Sequence, residues 1–137
     1  MTGVQTCALP ISGDSDLIGS YGEMRDDGSA YGVAMAERGQ GAMGGTPWEQ
    51  RERYIENSPF FYLDRIQTPL LIIQGSDDTA VAPFLGDQIF VALRRLGKET
   101  EYARYEGEDH SPSQQWSYEH QVDLAHRMIR WLDCHLK

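Results

Sequence analysis

Two short loops hold the residues best suited to chemistry. The first reads Gln74-Gly75-Ser76-Asp77-Asp78-Thr79-Ala80-Val81, and the second reads Glu106-Gly107-Glu108-Asp109-His110-Ser111-Pro112. A carboxylate that faces an imidazole fixes the ring's tautomer and stabilises the imidazolium. A histidine held in this way can take the proton of a hydroxyl nucleophile and return it to a leaving group. An acid on the first loop and His110 on the second would supply that pair if the loops meet. Spacing alone also admits two quieter readings, a surface Asp-Asp turn and a structural or idle loop histidine.

The elements that flank these loops decide whether they can meet. Pro69-Leu70-Leu71-Ile72-Ile73-Gln74-Gly75 is a short, continuously apolar run bounded by Pro and Gly, which predicts a strand buried on both faces. Pro83 to Leu96 carries Leu85, Ile89, Leu93 and Leu96 at helical spacing, and Gly97 follows as a stop. Thr100 to Tyr105 supplies a second strand. Tyr118, Val122, Ala125, Ile129, Leu132 and Leu136 mark one face of a long terminal helix. Upstream, Thr46-Pro47-Trp48-Glu49 has the form of a capping box, opening a helix that runs to about Asn57 and stops at Ser58-Pro59. Ser12 to Gly45 reads as loops around one or two short helices. Strand, helix, strand, helix with a crossover of this length implies parallel strands in an α/β sheet covered by helices. In such sheets chemistry gathers at the carboxyl ends of the strands, which is where both loops lie.

Composition narrows the classes. The 137 residues suffice for one domain, and 40% hydrophobic content reads as globular. A formal charge of −9 without clustered Lys and Arg argues against a nucleic-acid partner. No apolar run approaches the roughly 20 residues that span a bilayer, so no membrane partner is expected. Cys7 and Cys134 form no disulfide framework, no Cys/His cluster has zinc-ligand spacing, and the compartment stays open. His120, Asp123 and His126 read as a solvated helix face rather than a metal site, and Trp48, Trp116 and Trp131 as packing residues.

The stretch GGTPWEQRERYIENSPFFYLDRIQTPLLIIQGSDDTAVAP, with the later YEGEDH, resembles the end of the catalytic domain of prolyl-oligopeptidase-family serine peptidases. The resemblance implies the C-terminal portion of an α/β-hydrolase fold, incomplete here. In that family the acid lies in an HG-x-x-D-x-x-V pattern, matched by Gly75, Asp78 and Val81. It follows that Asp78 is the implied triad acid and Asp77 a bystander. The family's E-x-H-G loop corresponds to Glu108-Asp109-His110, which makes His110 the implied base. Gln74 stands where His is usual, Ala80 where Asn is common, and Ser111 where Gly is typical. The Gln74 position is read as supporting the turn rather than the chemistry. Leu17, Tyr21 and Val81 are implied to line an apolar pocket for the residue before the scissile bond. The expected activity is peptide hydrolysis through an acyl-enzyme on a small peptide substrate, with neither metal nor cofactor. A carboxylesterase or dienelactone-hydrolase-like enzyme shares the fold and both loops. A non-catalytic binding protein of the same fold is the reading from a different class.

The triad of such hydrolases runs Ser, Asp, His, with the serine on a G-x-S-x-G elbow. No G-x-S-x-G occurs in the chain. Residues 1–11, MTGVQTCALPI, resemble the translation of a sequencing-library adapter with a GTG codon read as Met, the other reading being an ordinary N-terminal strand. The expected division is therefore 1–11 as a non-native segment and 12–137 as the C-terminal part of the catalytic domain. The nucleophile, the oxyanion-hole amides, the preceding strands and a β-propeller are expected upstream. Without them the polypeptide is expected to be inactive alone and to carry a bare sheet edge.

Overall fold

The computed structural model describes residues 7–25 and 27–136. Two parallel strands form its centre, β1 (Leu70–Gly75) and β2 (Thr100–Tyr105), in register from Leu70 opposite Thr100 to Gly75 opposite Tyr105. Every residue of β1 is buried, the polar Gln74 included, as the apolar run around it requires. Its side chains alternate between two clusters, following the period-2 geometry of a strand. Leu71 and Ile73 join Ala103, Tyr105, Trp116, Leu124 and Trp131 on one face. Leu70 and Ile72 join Leu63, Ile89 and Leu93 on the other.

The crossover is α4 (Pro83–Arg95), which begins with Pro in its first turn and buries Leu85, Ile89 and Leu93. Its end is a Schellman turn. Gly97 takes φ +68°, its N–H donates to Arg94 O, and the Lys98 N–H reaches back to Leu93 O. Leu96, which shares the apolar spacing, sits past the last turn and is exposed.

Three short helices precede the sheet, namely α1 (Leu17–Tyr21), α2 (Tyr31–Glu37) and α3 (Arg51–Glu56), followed by a 3-10 turn over Pro59–Arg65. The capping box forms: Glu49 N–H donates to Thr46 Oγ1, and Glu49 Oε2 accepts from the Thr46 N–H. Residues 47–50 nevertheless stay a turn, and regular helix begins only at Arg51. Ser58 closes it, donating to Tyr54 O and accepting from the Leu17 N–H, which ties α3 to α1.

Three expectations change. The terminal helix α5 (Tyr118–His135) buries Leu124 and Trp131, with Met128 beside them, rather than the predicted stripe. Tyr118, Val122, Ile129 and Leu136 are exposed. The helix carries two apolar stripes, and the sheet takes the one bearing Trp131, whose indole packs in the same cluster as Tyr105 and Trp116. Trp48, read as a packing residue, is 77% exposed, touching only the edge of Tyr21 among the aromatic rings.

The third change concerns the sheet edge. Residues 8–12 run parallel to β1 on the side opposite β2. Ala8 N–H donates to Pro69 O, Leu71 N–H to Ala8 O, Ile73 N–H to Pro10 O, and Ser12 N–H to Ile73 O. Backbone pairing requires only an extended chain and not a particular sequence. This edge of β1 is therefore occupied where a bare one was expected. Cys7 packs against the Leu71 and Ile73 cluster, and residues 1–6 lie outside the described residues.

Candidate active site

The loops that follow β1 and β2 are laced together residue by residue. Ser76 N–H donates to Tyr105 O, Gly107 N–H to Ser76 Oγ, and Asp77 N–H to Glu108 O. Thr79 then presents both its N–H and its hydroxyl to Asp109 Oδ1, at 2.9 and 3.1 Å. Parallel strands in register end side by side, so their exit loops are forced into contact. Gly75 allows the approach, because a Cβ there would lie 2.2 Å from Glu108 O.

Asp78 and His110 meet inside this lacing. His110 Nδ1 lies 3.0 Å from Asp78 Oδ2 and 3.2 Å from Oδ1. The Asp78 side chain is fully buried, whereas that of His110 is 42% exposed. Asp78 Oδ1 also accepts the N–H groups of Ala80 and Val81, and Oδ2 accepts Gln74 Nε2 at 2.9 Å. An ionised carboxylate only accepts, so its oxygen 3.0 Å from Nδ1 requires the proton to sit on Nδ1. That leaves the Nε2 lone pair of the neutral ring for chemistry. Nε2 makes no hydrogen bond to the described residues.

His110 borders a cavity of about 290 Å³ that also touches Ser12, Asp14, Glu23, Met35 and Val81. Val81 is thus at the site. Leu17 and Tyr21 do not line this cavity; they pack against Ala36, Met43 and Tyr54, and the Tyr21 hydroxyl donates to Glu37. The cavity wall is mixed rather than apolar. Burial pushes the Glu23 carboxyl above the usual glutamate range, with Asp78 and Asp14 adding to the rise against the pull of Arg25. Asp77 stays outside, accepting only from the neighbouring Ser76 hydroxyl among side chains.

A second histidine–carboxylate pair underlies the His110 loop. Glu108, 5% exposed, accepts from Ser117 N–H, Ser117 Oγ and His120 Nδ1. Burial raises the Glu108 carboxyl, but those donors outweigh it and hold the group below the ordinary glutamate range. Asp109 follows the same logic: burial raises it, while Thr79 and the His110 N–H bring it below the usual range. Trp116 Nε1 donates to Asp109 O, further tying the loop to the segment that leads into α5. His126 is exposed and the Asp123 side chain half-exposed, so this helix face is solvated as expected, although His120 meets Glu108 and Asp123 accepts from Tyr105 and Arg127. Burial, then the Asp123 hydrogen bond, push the Tyr105 phenol up to about 12, so it stays a donor. Nothing in the linear order distinguishes these contacts, because a helix i, i+3 pattern is equally at home in solvent.

The chain is similar to known peptidases. Dipeptidyl-peptidase 5 of Porphyromonas endodontalis is 36% identical over 101 residues, covering 69% of this chain and 14% of that protein. The uncharacterized peptidase YuxL of Bacillus subtilis is 30% identical over 89 residues, covering 65% of this chain and 14% of its own. Acylaminoacyl peptidase of Pyrococcus horikoshii superposes with a TM-score of 0.81 at 25% identity, over 94% of this chain and 20% of that one. The elements described here are accordingly part of an α/β-hydrolase fold, and the chain spans 14% of the length of the two curated relatives. The prolyl oligopeptidase family model matches residues 28–137, and the chain belongs to that family.

Proposed function

We propose that Asp78 and His110 are the acid and base of a serine-type peptidase site whose nucleophile comes from outside these 137 residues. The observation that carries this reading is the contact of His110 Nδ1 with both Asp78 oxygens, at 3.0 and 3.2 Å, with Nε2 left unengaged beside a cavity. The proposed reaction runs in two halves. A serine hydroxyl adds to the peptide carbonyl as its proton passes to His110 Nε2. The tetrahedral adduct then collapses, the C–N bond breaks, and the proton goes from Nε2 to the departing amine. Water then adds to the acyl-enzyme carbonyl as its proton passes to Nε2. The C–O bond to serine breaks, and Nε2 returns the proton to the serine oxygen, releasing the acid. Asp78 never takes the proton; it holds the ring and stabilises the imidazolium between transfers.

Turnover of a short peptide by the full-length protein tests this, with Asp78→Asn and His110→Gln beside the native sequence. Asp78→Asn is expected to lower kcat by about four orders of magnitude with little change in KM. Activity surviving either change largely intact would remove the assignment. The 137-residue chain alone is expected to leave the same peptide uncleaved.

A further inference from the structure

Asp78 can do its work only if its carboxylate keeps one rotation, and the torsion that sets this rotation is soft in an aspartate. The N–H groups of Ala80 and Val81 both reach Oδ1, so the loop backbone restrains one oxygen. The other oxygen, Oδ2, is the one nearest His110 Nδ1, at 3.0 Å. Its second contact is Gln74 Nε2, at 2.9 Å.

Gln74 is an unusual residue to find there. It lies in β1 among apolar neighbours and is 1% exposed. A buried amide must satisfy its hydrogen bonds inside the protein or destabilise the fold. The partners around its nitrogen are all acceptors: Asp78 Oδ2, Val81 O at 3.3 Å and Gly75 O at 3.5 Å. Their chemistry decides which way the amide faces, with NH2 towards Asp78. Room for the side chain comes from α4, where Gly86 packs over it; a Cβ on Gly86 would lie 3.2 Å from Gln74 Oε1 and 3.4 Å from its Cβ. Gln74 also brings no charge, so it can hold Oδ2 without competing with His110 as a cation or proton acceptor.

We propose that Gln74 is a positioning residue which, through its bond to Oδ2, fixes the Asp78 carboxylate and thereby the Nδ1–H tautomer of His110. This assigns Gln74 to the catalytic geometry rather than to support of the turn alone, and it rests on the Asp78–His110 reading above.

The test is long-range proton–nitrogen NMR of the His110 ring in the 15N-labelled chain, at a pH where the ring is neutral. Native protein is expected to show Nδ1–H as the dominant tautomer. Gln74→Met keeps length and apolar bulk but removes the donor. It is expected to raise the ratio of Nε2–H to Nδ1–H about tenfold, the size set by losing one hydrogen bond to a charged group. Gln74→Glu, near-isosteric, is measured alongside in case the Met variant does not fold. It sets a second acceptor against Oδ2, and is expected to disturb the tautomer ratio at least as much. A folded variant of either kind with the native His110 spectrum would overturn the proposal. Asp78→Asn separates the two levels. If it leaves the His110 spectrum unchanged, the acid–base pair itself is refuted. If it changes the spectrum while the Gln74 variants do not, the pair stands and Gln74 is a packing residue only.

Discussion

The Cα of Gly75 lies so close beneath the Glu108 carbonyl that an added Cβ would sit 2.2 Å from that oxygen and 2.7 Å from the Asp109 oxygen. Both atoms are backbone, so no side-chain rotation relieves the clash, and the two loops must separate. Gly75→Ala is expected to destabilise the chain by about 1–3 kcal/mol, the usual cost of overpacking. It should also move His110 away from Asp78. Urea unfolding measures the first effect and the His110 ring resonances the second. An unchanged His110 spectrum would mean the loops tolerate the separation.

Asp77 and Asp78 are adjacent in sequence and differ in surroundings. Only Asp78 meets His110, while Asp77 faces the Ser76 hydroxyl at the surface. Asp77→Asn in the full-length protein is expected to leave kcat within about twofold, as for a surface substitution remote from chemistry. Peptide turnover measured beside Asp78→Asn gives the contrast. A large loss on the Asp77 change would exchange the two assignments.

The His110 loop should loosen in acid. Glu108 and Asp109 are both held below their ordinary range by the donors around them. A carboxyl depressed in the folded state takes up protons more readily when unfolded. Its stabilising contribution is therefore complete above the ordinary carboxylate range, about pH 4, and is lost as pH falls through the depressed folded values. Urea midpoints are expected to fall below about pH 4, and Glu108→Gln to flatten that fall. A Glu108→Gln curve parallel to the native one would exclude Glu108 as a source.

The stripes of α5 give a stability contrast. Trp131 is 7% exposed and Ile129 is 57% exposed. Trp131→Ala is expected to cost about 3–5 kcal/mol, whereas Ile129→Ala stays within about 0.5 kcal/mol. Chemical denaturation of both variants checks this, and equal losses would show that the other stripe carries the packing.

The local order of residues determined much of this protein. An apolar run bounded by Pro and Gly can only be satisfied by burial on both faces, which made β1 legible. Helical spacing closed by Gly97 did the same for α4, and two strands joined by such a crossover had to be parallel. Parallel strands in register bring their exit loops together at one end, which made an acid on the first loop and His110 on the second legible as a pair. The choice of Asp78 over Asp77 rested on the resemblance to the family's motif.

Tertiary structure decided what depends on neighbours distant in the chain. Whether Trp131 or Ile129 faces the sheet turns on competition between two apolar stripes of one helix, and the winner is set by what Tyr105 and Trp116 offer it. Leu17 and Tyr21 were free to line a pocket or a core until Ala36, Met43 and Tyr54 supplied the core. Gln74 is one residue in an apolar run, and only folding places its amide against Asp78, just as folding sets Glu108 against His120. Periodicity reports which face of an element is apolar. It carries no information about which polar groups, brought from elsewhere in the chain, will satisfy one another once water has been excluded.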